Sequence, residues 1–226
     1  HQVKALAANG VDEIVVVTGF AQQVVQEVVN GISGVAIRTL YNPFYALSDN
    51  LGTSWVARNE MKAPFLLVNG DTLFQPSTLS TLLSGKRSFP ITLATDHKDQ
   101  YDDDDMKVSA DGERLHRVSK KLDMNIVTGE SIGMMVFNQR GADRFVKKVE
   151  SLMTGPDGLV RGSLSASDEL ADEGRVGMHC VHGHDWFEVD DIADLTYAET
   201  SVKEWRASGV DTNVKTPSTT EIRQRV

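Results

Sequence analysis

Two short, unbroken apolar runs constrain the fold of this chain more than any other feature of its sequence. They occupy residues 14–17 (IVVV) and residues 65–68 (FLLV), and turn-forming residues flank both. A continuous apolar run of this length is typical of a parallel strand that is buried on both faces, with helices packed above and below the sheet. The two runs therefore predict a buried sheet of the α/β class.

Helical and extended patterns alternate along the first third of the chain. The helical patterns cover Gln2–Ala8, 22–29 and 52–61, and the extended patterns cover Glu13–Thr18, 35–40 and Phe65–Val68. From residue 91, strands with hairpin-like turns are predicted at 91–95, 106–109, 115–118 and 131–138. Later helices are predicted at 141–153, 166–173 and Ile192–Ala207, and later strands at 175–181 and 186–189. This order predicts an α/β fold with right-handed crossovers and a mixed sheet.

The chain shows no sign of a division into separate domains. Neither an internal repeat nor a low-complexity linker interrupts it, so we expect one domain over residues 1–209. Residues 210–226 are polar, rich in Thr and without apolar periodicity, which is typical of a tail or a linker.

Charge balance and cysteine content exclude several classes of protein. The 226 residues carry 23 Lys and Arg against 32 Asp and Glu, a net charge of -9, which repels a nucleic-acid backbone. The single cysteine, Cys180, rules out an internal disulfide, and no apolar run is long enough to span a bilayer. The chain begins at His1 without a basic and apolar leader. We expect a cytoplasmic protein with neither a nucleic-acid nor a membrane partner.

Three carboxylates are the strongest candidates for metal chemistry. Asp71 follows the apolar run at 65–68, at the strand end where α/β sheets bind their ligands. Glu188 and Asp190 are two residues apart on a predicted strand, so their side chains should project from one face. Such a set suits a hard divalent cation that holds phosphate oxygens. The structural alternative is that Asp71 caps a turn and that the other two are solvated at a sheet edge.

An aromatic residue and four carboxylates stand together at residues 101–105 (YDDDD). Adjacent carboxylates repel one another, so a solvated loop is one interpretation. The other is a wall that attracts a cationic head group, with Tyr101 or Trp186 presenting a ring face to an ammonium. Lys107 and Lys120 are candidates for binding a phosphate, although exposed lysines are common and no phosphate-loop glycine pattern surrounds them.

Cys180 stands among three histidines, His179, His182 and His184, which is a reason to consider zinc. The spacing fits none of the common structural zinc patterns, and Gly183 indicates a turn. The sequence therefore favours no zinc site here. The chain also carries no serine nucleophile elbow, Walker A loop or dinucleotide-binding GxGxxG pattern.

Five sequence blocks resemble a known enzyme superfamily in their order and spacing. They are YNPFYALSDNLGTSW at 41–55, LVNGDTLF at 67–74, DMKV at 105–108, GESIG at 129–133 and WFEVD at 186–190. Together they resemble the sugar-1-phosphate nucleotidyltransferase superfamily, and within it the phosphocholine cytidylyltransferase-like branch. The resemblance covers roughly residues 2–199 and implies a single Rossmann-like α/β domain with a mixed central sheet and flanking helices.

The resemblance also implies roles for individual residues. Asp71, Glu188 and Asp190 match the positions that bind Mg²⁺ between the nucleotide and the incoming phosphate or phosphonate, which expels pyrophosphate. Lys120 matches a lysine that contacts the acceptor phosphate, and Lys107 competes for that role. The nucleotide-binding positions are Asn50, Gly52, Ser54 and Gly70. The positions at the other end of the acceptor are Glu130, Tyr101, Asp105 and Trp186, and they favour a cationic amino-alcohol over a neutral hexose.

The chain departs from the family pattern at its start. Relatives begin with a strand and a Gly-rich loop that holds the triphosphate, whereas residues 2–6 here resemble the helix that follows. We therefore expect the first βα unit to be absent from this chain, with weak or no turnover as a consequence. The alternatives are a sugar-1-phosphate nucleotidyltransferase that uses UTP or dTTP, and a non-catalytic nucleotide-binding or scaffolding module. A homodimer is a further expectation.

Overall fold

The computed structural model describes residues 1–85 and 87–207, so the tail expected over 210–226 lies outside the described residues. The helices are α1 (Gln2–Ala8), α2 (Gln22–Asn30), α3 (Asn50–Ala57), α4 (Pro76–Ser84), α5 (Gln139–Met153), α6 (Leu164–Asp172) and α7 (Ile192–Ala207). The strands are β1 (Glu13–Thr18), β2 (Ala36–Tyr41), β3 (Phe65–Val68), β4 (Thr72–Phe74), β5 (Ile91–Asp96), β6 (Lys107–Asp111), β7 (Arg114–Ser119), β8 (Gly129–Phe137), β9 (Val176–Cys180) and β10 (Trp186–Glu188).

The central sheet is mixed, as the sequence predicts. Its six strands lie in the order β3-β8-β5-β9-β7-β6. The long strand β8 runs antiparallel to both β3 and β5, whereas β5 and β9 are parallel. The first residues of β8, Gly129 and Glu130, also pair with β6. Because β8 contacts three strands, its side chains lie at the centre of the molecule, and all but Gly133 are buried.

Two smaller sheets accompany the central one. Strands β1 and β2 are parallel, and β4 and β10 are antiparallel. The second pair joins segments more than a hundred residues apart in the chain, and the backbone N–H of Val189 extends it by donating to the carbonyl of Asp71 at 3.1 Å. This pairing brings Asp71 next to Glu188 and Asp190.

Two apolar clusters lie on opposite sides of the sheet. Strand β3 alternates between them, with Phe65 and Leu67 in one cluster and Leu66 and Val68 in the other. Among the described residues, β1 pairs only with β2 and β3 only with β8, so each of these strands has one unpaired edge. The two apolar runs contribute side chains to both layers, but their residues are only partly buried. For β3 the expectation of a buried parallel strand is wrong, because this strand lies at one end of the sheet order and pairs antiparallel with β8.

Helix α4 and strand β4 are not predicted by the sequence patterns. Ser and Thr dominate residues 76–84 and favour helices weakly, which conceals the helical spacing of Leu79, Leu82 and Leu83. These three leucines are buried in the second apolar cluster. Burial of this face, together with Pro76 in the first turn, stabilises a helix that local propensity does not indicate.

No described helix combines the length and the apolar character needed to cross a membrane.

Candidate active site

A cavity of about 530 Å³ opens beside the central sheet. Its walls come from the start of α3, the loop that follows β3, the middle of β8, the segment ahead of α6 and the region of β10. One lysine, Lys120, lines the cavity together with seven carboxylates, which are Asp49, Asp71, Asp104, Asp105, Glu130, Glu188 and Asp190. Five of these carboxylates form two groups with different surroundings.

The first group is the predicted metal set, Asp71, Glu188 and Asp190. The pairing of β4 with β10 brings these side chains to one wall of the cavity. The carboxyl of Glu188 has a pKa above its usual range, because it is partly desolvated and faces the charges of Asp71 and Asp190, while Lys120 opposes the effect. A raised pKa of this origin indicates a place where negative charge is concentrated.

One step of the sequence argument for this group is wrong. Strand β10 ends at Glu188, so strand alternation does not place Asp190 on the same face. Asp190 instead lies in the turn that leads into α7, where its backbone N–H donates to Asp194 Oδ2 at 3.1 Å. Asp191 caps this helix, as its Oδ1 accepts from the backbone N–H groups of Ala193 and Asp194 at 2.7 and 3.0 Å.

The donor chemistry of this group suits a hard divalent cation. All three ligands are carboxylates, the type that Mg²⁺ prefers, and their mutual repulsion would be relieved by a positive ion. Within residues 1–85 and 87–207, the three do not converge so closely that their oxygens all lie within 4.8 Å of one another. One ion could therefore meet all three carboxylates only with water completing its contacts, a mode of binding that Mg²⁺ commonly adopts.

The second group surrounds Glu130, which is only 5% exposed. Burial raises the pKa of the Glu130 carboxyl to about 7, with Lys98 acting against this effect and Asp105 adding to it. The ammonium of Lys98 lies 3.3 Å from Glu130 Oε2 and 2.8 Å from Asp105 Oδ1. It also lies 5.9 Å from the ring centre of Tyr101. Two carboxylates and an aromatic ring thus surround a primary ammonium supplied by the chain itself.

Lys98 is a residue that the sequence reasoning missed. It lies outside the blocks that carry the resemblance and beyond the end of β5, with no pattern to distinguish it from a solvated lysine. Its proximity to the acidic run at 102–105 was the one available signal. Tyr101 lies beneath it, and its hydroxyl accepts from the backbone N–H of Lys98 at 3.4 Å.

The acidic run at 102–105 forms an ordered turn. Asp102 Oδ1 accepts from the backbone N–H groups of Asp104 and Asp105, at 2.9 and 3.1 Å. Asp104 and Asp105 both line the cavity, but the side chain of Asp104 is exposed, as Asp103 is, whereas that of Asp105 is largely buried. The solvated interpretation thus fits Asp103 and Asp104, and the cavity-wall interpretation fits Asp105.

Trp186 lines the cavity next to Glu130. Its indole N–H donates to Asp96 Oδ2 at 2.8 Å. Asp96 is in turn the strand partner of Glu130 in the pairing of β5 with β8. Asp96 therefore links Trp186 to the strand that carries the buried carboxylate of Glu130.

The two candidate lysines have different surroundings. Lys120 lines the cavity, and its ammonium lies 3.3 Å from Asp104 Oδ1. Lys107 is only 4% exposed, and its ammonium donates to the backbone carbonyls of Asp102, Asp105 and Lys120. Lys107 therefore stabilises the acidic turn instead of facing the cavity, whereas Lys120 lines the cavity and forms only an exposed ion pair with Asp104.

Of the predicted nucleotide-binding residues, one lines the cavity and the others do not. Asn50 lines the cavity at the start of α3. Gly52 and Ser54 lie within that helix and are buried, and the Ser54 hydroxyl donates to the carbonyl of Asn50 at 2.9 Å. A Cβ at Gly52 would lie 2.6 Å from Ser48 Cβ, so packing alone accounts for this glycine. Gly70 is an exposed residue of the bend before Asp71.

Protein-family models give no match to this chain. A stretch of 83 residues, 36% of the chain, is 32% identical to the CMP-5'-(3-aminopropyl)phosphonate synthase of Streptomyces rubellomurinus. That stretch spans only 13% of the length of the Streptomyces protein.

Solved structures resemble nearly the whole chain. The inositol-1-phosphate CTP transferase of T. maritima superposes with a TM-score of 0.74 at 22% identity, over 94% of this chain and 82% of that one. The CTP:phosphocholine cytidylyltransferase of Streptococcus pneumoniae gives a TM-score of 0.67 at 15% identity, over 89% of this chain and 83% of that one. The expected architecture is thereby confirmed: this chain has the Rossmann-like α/β fold of the nucleotidyltransferases that include these two CTP-dependent enzymes.

Proposed function

We propose that this chain is a cytidylyltransferase domain. It would transfer CMP from CTP to the phosphate or phosphonate of a small, positively charged acceptor of the phosphocholine type, releasing pyrophosphate. The proposal rests on the composition of the cavity. Three carboxylates suited to Mg²⁺ line it together with the buried carboxylate of Glu130 and the aromatic ring of Trp186.

The charge in the cavity supports a requirement for a metal ion. Within the described part of the chain, the cavity is lined by seven carboxylates and by only one lysine, so its excess of negative charge would repel a triphosphate in the absence of a cation. Asp71, Glu188 and Asp190 would hold Mg²⁺, which supplies charge neutralisation at the phosphate oxygens when bound. The chain would position these phosphate oxygens. It would need no nucleophile of its own, because an oxygen of the acceptor attacks the α-phosphorus of CTP as pyrophosphate leaves.

Lys120 is the side chain best placed to bind the acceptor phosphate. It lines the cavity, and its ammonium lies 3.3 Å from the exposed carboxylate of Asp104. A point charge of this kind offsets the phosphate charge without demanding a fixed geometry. Asn50, at the start of α3, would contact the nucleotide from the opposite wall.

The charges around Glu130 favour a cationic head group. Asp105 contributes one negative charge and Lys98 one positive charge, so the site becomes net negative when Glu130 ionises, as pH rises through its pKa of about 7. An ammonium gains from both the carboxylates and the ring face. The names of two similar proteins, one for an aminopropylphosphonate and one for phosphocholine, agree with an amine-bearing acceptor.

A neutral polyol phosphate is the second candidate acceptor, and Lys98 is the observation that favours it. Its ammonium already pairs with both carboxylates, so it removes part of the charge that a cationic acceptor would use. The structure with a TM-score of 0.74 is an inositol-1-phosphate CTP transferase, whose named acceptor carries a neutral ring.

A pyrophosphate-release screen tests the proposal. Four nucleoside triphosphates are combined with phosphocholine, aminoethylphosphonate, inositol phosphate or a hexose phosphate, with and without Mg²⁺. Because the resemblance places a phosphate-binding loop ahead of α1, the screen uses both the 226-residue chain and a longer chain that carries this loop. We expect turnover in the longer chain with CTP, Mg²⁺ and an amine-bearing acceptor.

Matched variants separate the roles. Asp71→Asn and Glu188→Gln should abolish turnover, whereas Asp103→Asn, a change in the acidic run outside the cavity, should leave it unchanged. Turnover with UTP or dTTP and a hexose phosphate would instead indicate the sugar-1-phosphate alternative. If CTP fails to bind in the presence of Mg²⁺ and the titration of Asp71→Ala does not differ from that of the unchanged chain, the chain is a scaffolding module.

A further inference from the structure

A group of metal-binding side chains lies outside the metal set of the candidate active site. Strands β5 and β9 are parallel neighbours, with Thr95 opposite Cys180. Both strands end at the same edge of the sheet, so the residues that follow them meet. Asp96 and His97 come from the first strand end, and His182 follows the second. We call these three residues the histidine cluster.

The ligand atoms of the histidine cluster converge closely. One ligand atom from each of Asp96, His97 and His182 lies within 4.8 Å of the other two. His182 Nδ1 is 3.1 Å from Asp96 Oδ1, and the two imidazole rings stack with centroids 4.0 Å apart. The exposed thiol of Cys180 lies beside them, with Sγ 3.6 Å from His97 Nδ1.

We propose that Asp96, His97 and His182 bind a transition-metal ion of the zinc class. Two imidazoles and one carboxylate form a donor set typical of zinc, with one position left for water or a fourth ligand. The sequence argument against zinc considered only the spacing of residues 179–184, and the ligands Asp96 and His97 come from another strand. Of the histidines considered there, His184 contacts Thr81 and Ser77 of α4, and His179 packs against Gly85.

This metal site would act on the candidate acceptor pocket through Asp96. The Oδ1 atom of Asp96 faces His182, while Oδ2 accepts the indole N–H of Trp186 at 2.8 Å. A ligand carboxylate that also accepts a hydrogen bond is the usual way in which a metal orients its surroundings. An ion at the histidine cluster would therefore restrict the ring of Trp186, which lines the cavity next to Glu130.

Calorimetric titration of the metal-free 226-residue chain with ZnCl₂ tests the proposal. We expect one site, with His97→Ala and His182→Ala each weakening the affinity by at least about tenfold, the loss that even an outer hydrogen-bond partner of a ligand causes. His116→Ala, on β7, should bind as the unchanged chain does. Asp71→Asn should also bind Zn²⁺ normally, which separates this site from the proposed magnesium site.

Two further measurements make the assignment specific. Cys180→Ser should retain binding; if it abolishes binding while His182→Ala does not, the lone thiol binds the ion and the proposal is overturned. Zn²⁺ should change the tryptophan emission of the unchanged chain but not of Trp186→Phe, and an unaltered spectrum would overturn the link to Trp186. Absence of a site in the titration, or an affinity for Zn²⁺ that neither histidine substitution weakens, would overturn the metal site itself.

Discussion

Glu130 and Lys107 carry ionisable groups, yet they are only 5% and 4% exposed. Each is stabilised differently. Lys107 donates to three backbone carbonyls, whereas Glu130 faces one lysine and one further carboxylate. At the residue scale, these surroundings decide which side chains bind a ligand and which maintain the fold.

The Glu130 carboxyl makes stability depend on pH. Its pKa is raised by burial from 4.5 to about 7, so between these values the folded protein holds a proton that the unfolded chain releases. The stabilisation is present below the lower value and is lost as pH rises through the higher one. We expect the free energy of unfolding in urea to decrease between about pH 5 and about pH 8. This decrease should be smaller for Glu130→Gln than for the unchanged chain. Equal decreases would contradict this assignment.

Lys107 and Lys120 should respond in opposite ways to removal of their charge. Lys107→Met removes three hydrogen bonds from a buried ammonium to backbone carbonyls, so we expect the free energy of unfolding to fall by about 1 to 3 kcal/mol. Lys120→Met changes an exposed side chain and should alter stability by less than about 0.5 kcal/mol, while weakening the binding of a phosphorylated acceptor. Urea unfolding and acceptor titration of both variants check this; the reverse pattern would return Lys107 to the catalytic role.

At the element scale, most helices and strands lie within a few residues of the patterns that predict them. Strands β1 and β3 and helices α1 and α7 have the predicted bounds. Helix α4 and strand β4 are the exceptions, and both are stabilised by contacts with distant segments. The short strand β4 pairs with β10, far away in the chain, so no local pattern could indicate it.

Gly133 joins two elements of the cavity. It interrupts the buried strand β8 with a φ of +74°, and its carbonyl accepts the backbone N–H of Asn69 at 2.9 Å. A Cβ there would lie 2.6 Å from Thr72 Oγ1 and 2.8 Å from Asn69 Nδ2. The glycine therefore allows the segment that carries Asp71 to approach the centre of the sheet.

Substitution at this glycine should destabilise the cavity wall. Gly133→Ala combines an unfavourable backbone conformation, worth about 1 to 3 kcal/mol, with these close contacts. Gly112 also has a positive φ, +56°, but a Cβ there meets no atom within 4 Å. Unfolding curves should therefore show a larger decrease in the free energy of unfolding for Gly133→Ala than for Gly112→Ala. Similar decreases would mean that close packing at Gly133 contributes little to stability.

At the scale of the whole molecule, the charge of -9 is distributed unevenly. Seven carboxylates meet in one cavity, and the Glu188 carboxyl has a raised pKa partly because of its acidic neighbours. Bringing like charges together opposes folding unless a cation binds them. Metal binding and stability should therefore be coupled in this protein.

Magnesium should stabilise the folded chain even in the absence of nucleotide. A ligand that binds only the folded state at a hundred times its Kd adds about 2.7 kcal/mol to the free energy of unfolding. Thermal unfolding with MgCl₂, compared with NaCl at equal ionic strength, measures this effect. Glu188→Gln should lose most of the response and Asp103→Asn should keep it; equal responses in both variants would place the magnesium ion elsewhere.

The sequence by itself determined the alternation of helices and strands, because burial on one or both faces imposes a periodicity that neighbouring residues carry. It also identified Asp71, Glu188, Asp190, Glu130 and Trp186, which all line the cavity. Only the tertiary structure decided that Lys98 neutralises part of the charge around Glu130, that Lys107 faces carbonyls and that Asp96 and His97 meet His182. These contacts join residues from separate segments, whose proximity depends on strand pairing and on no local pattern.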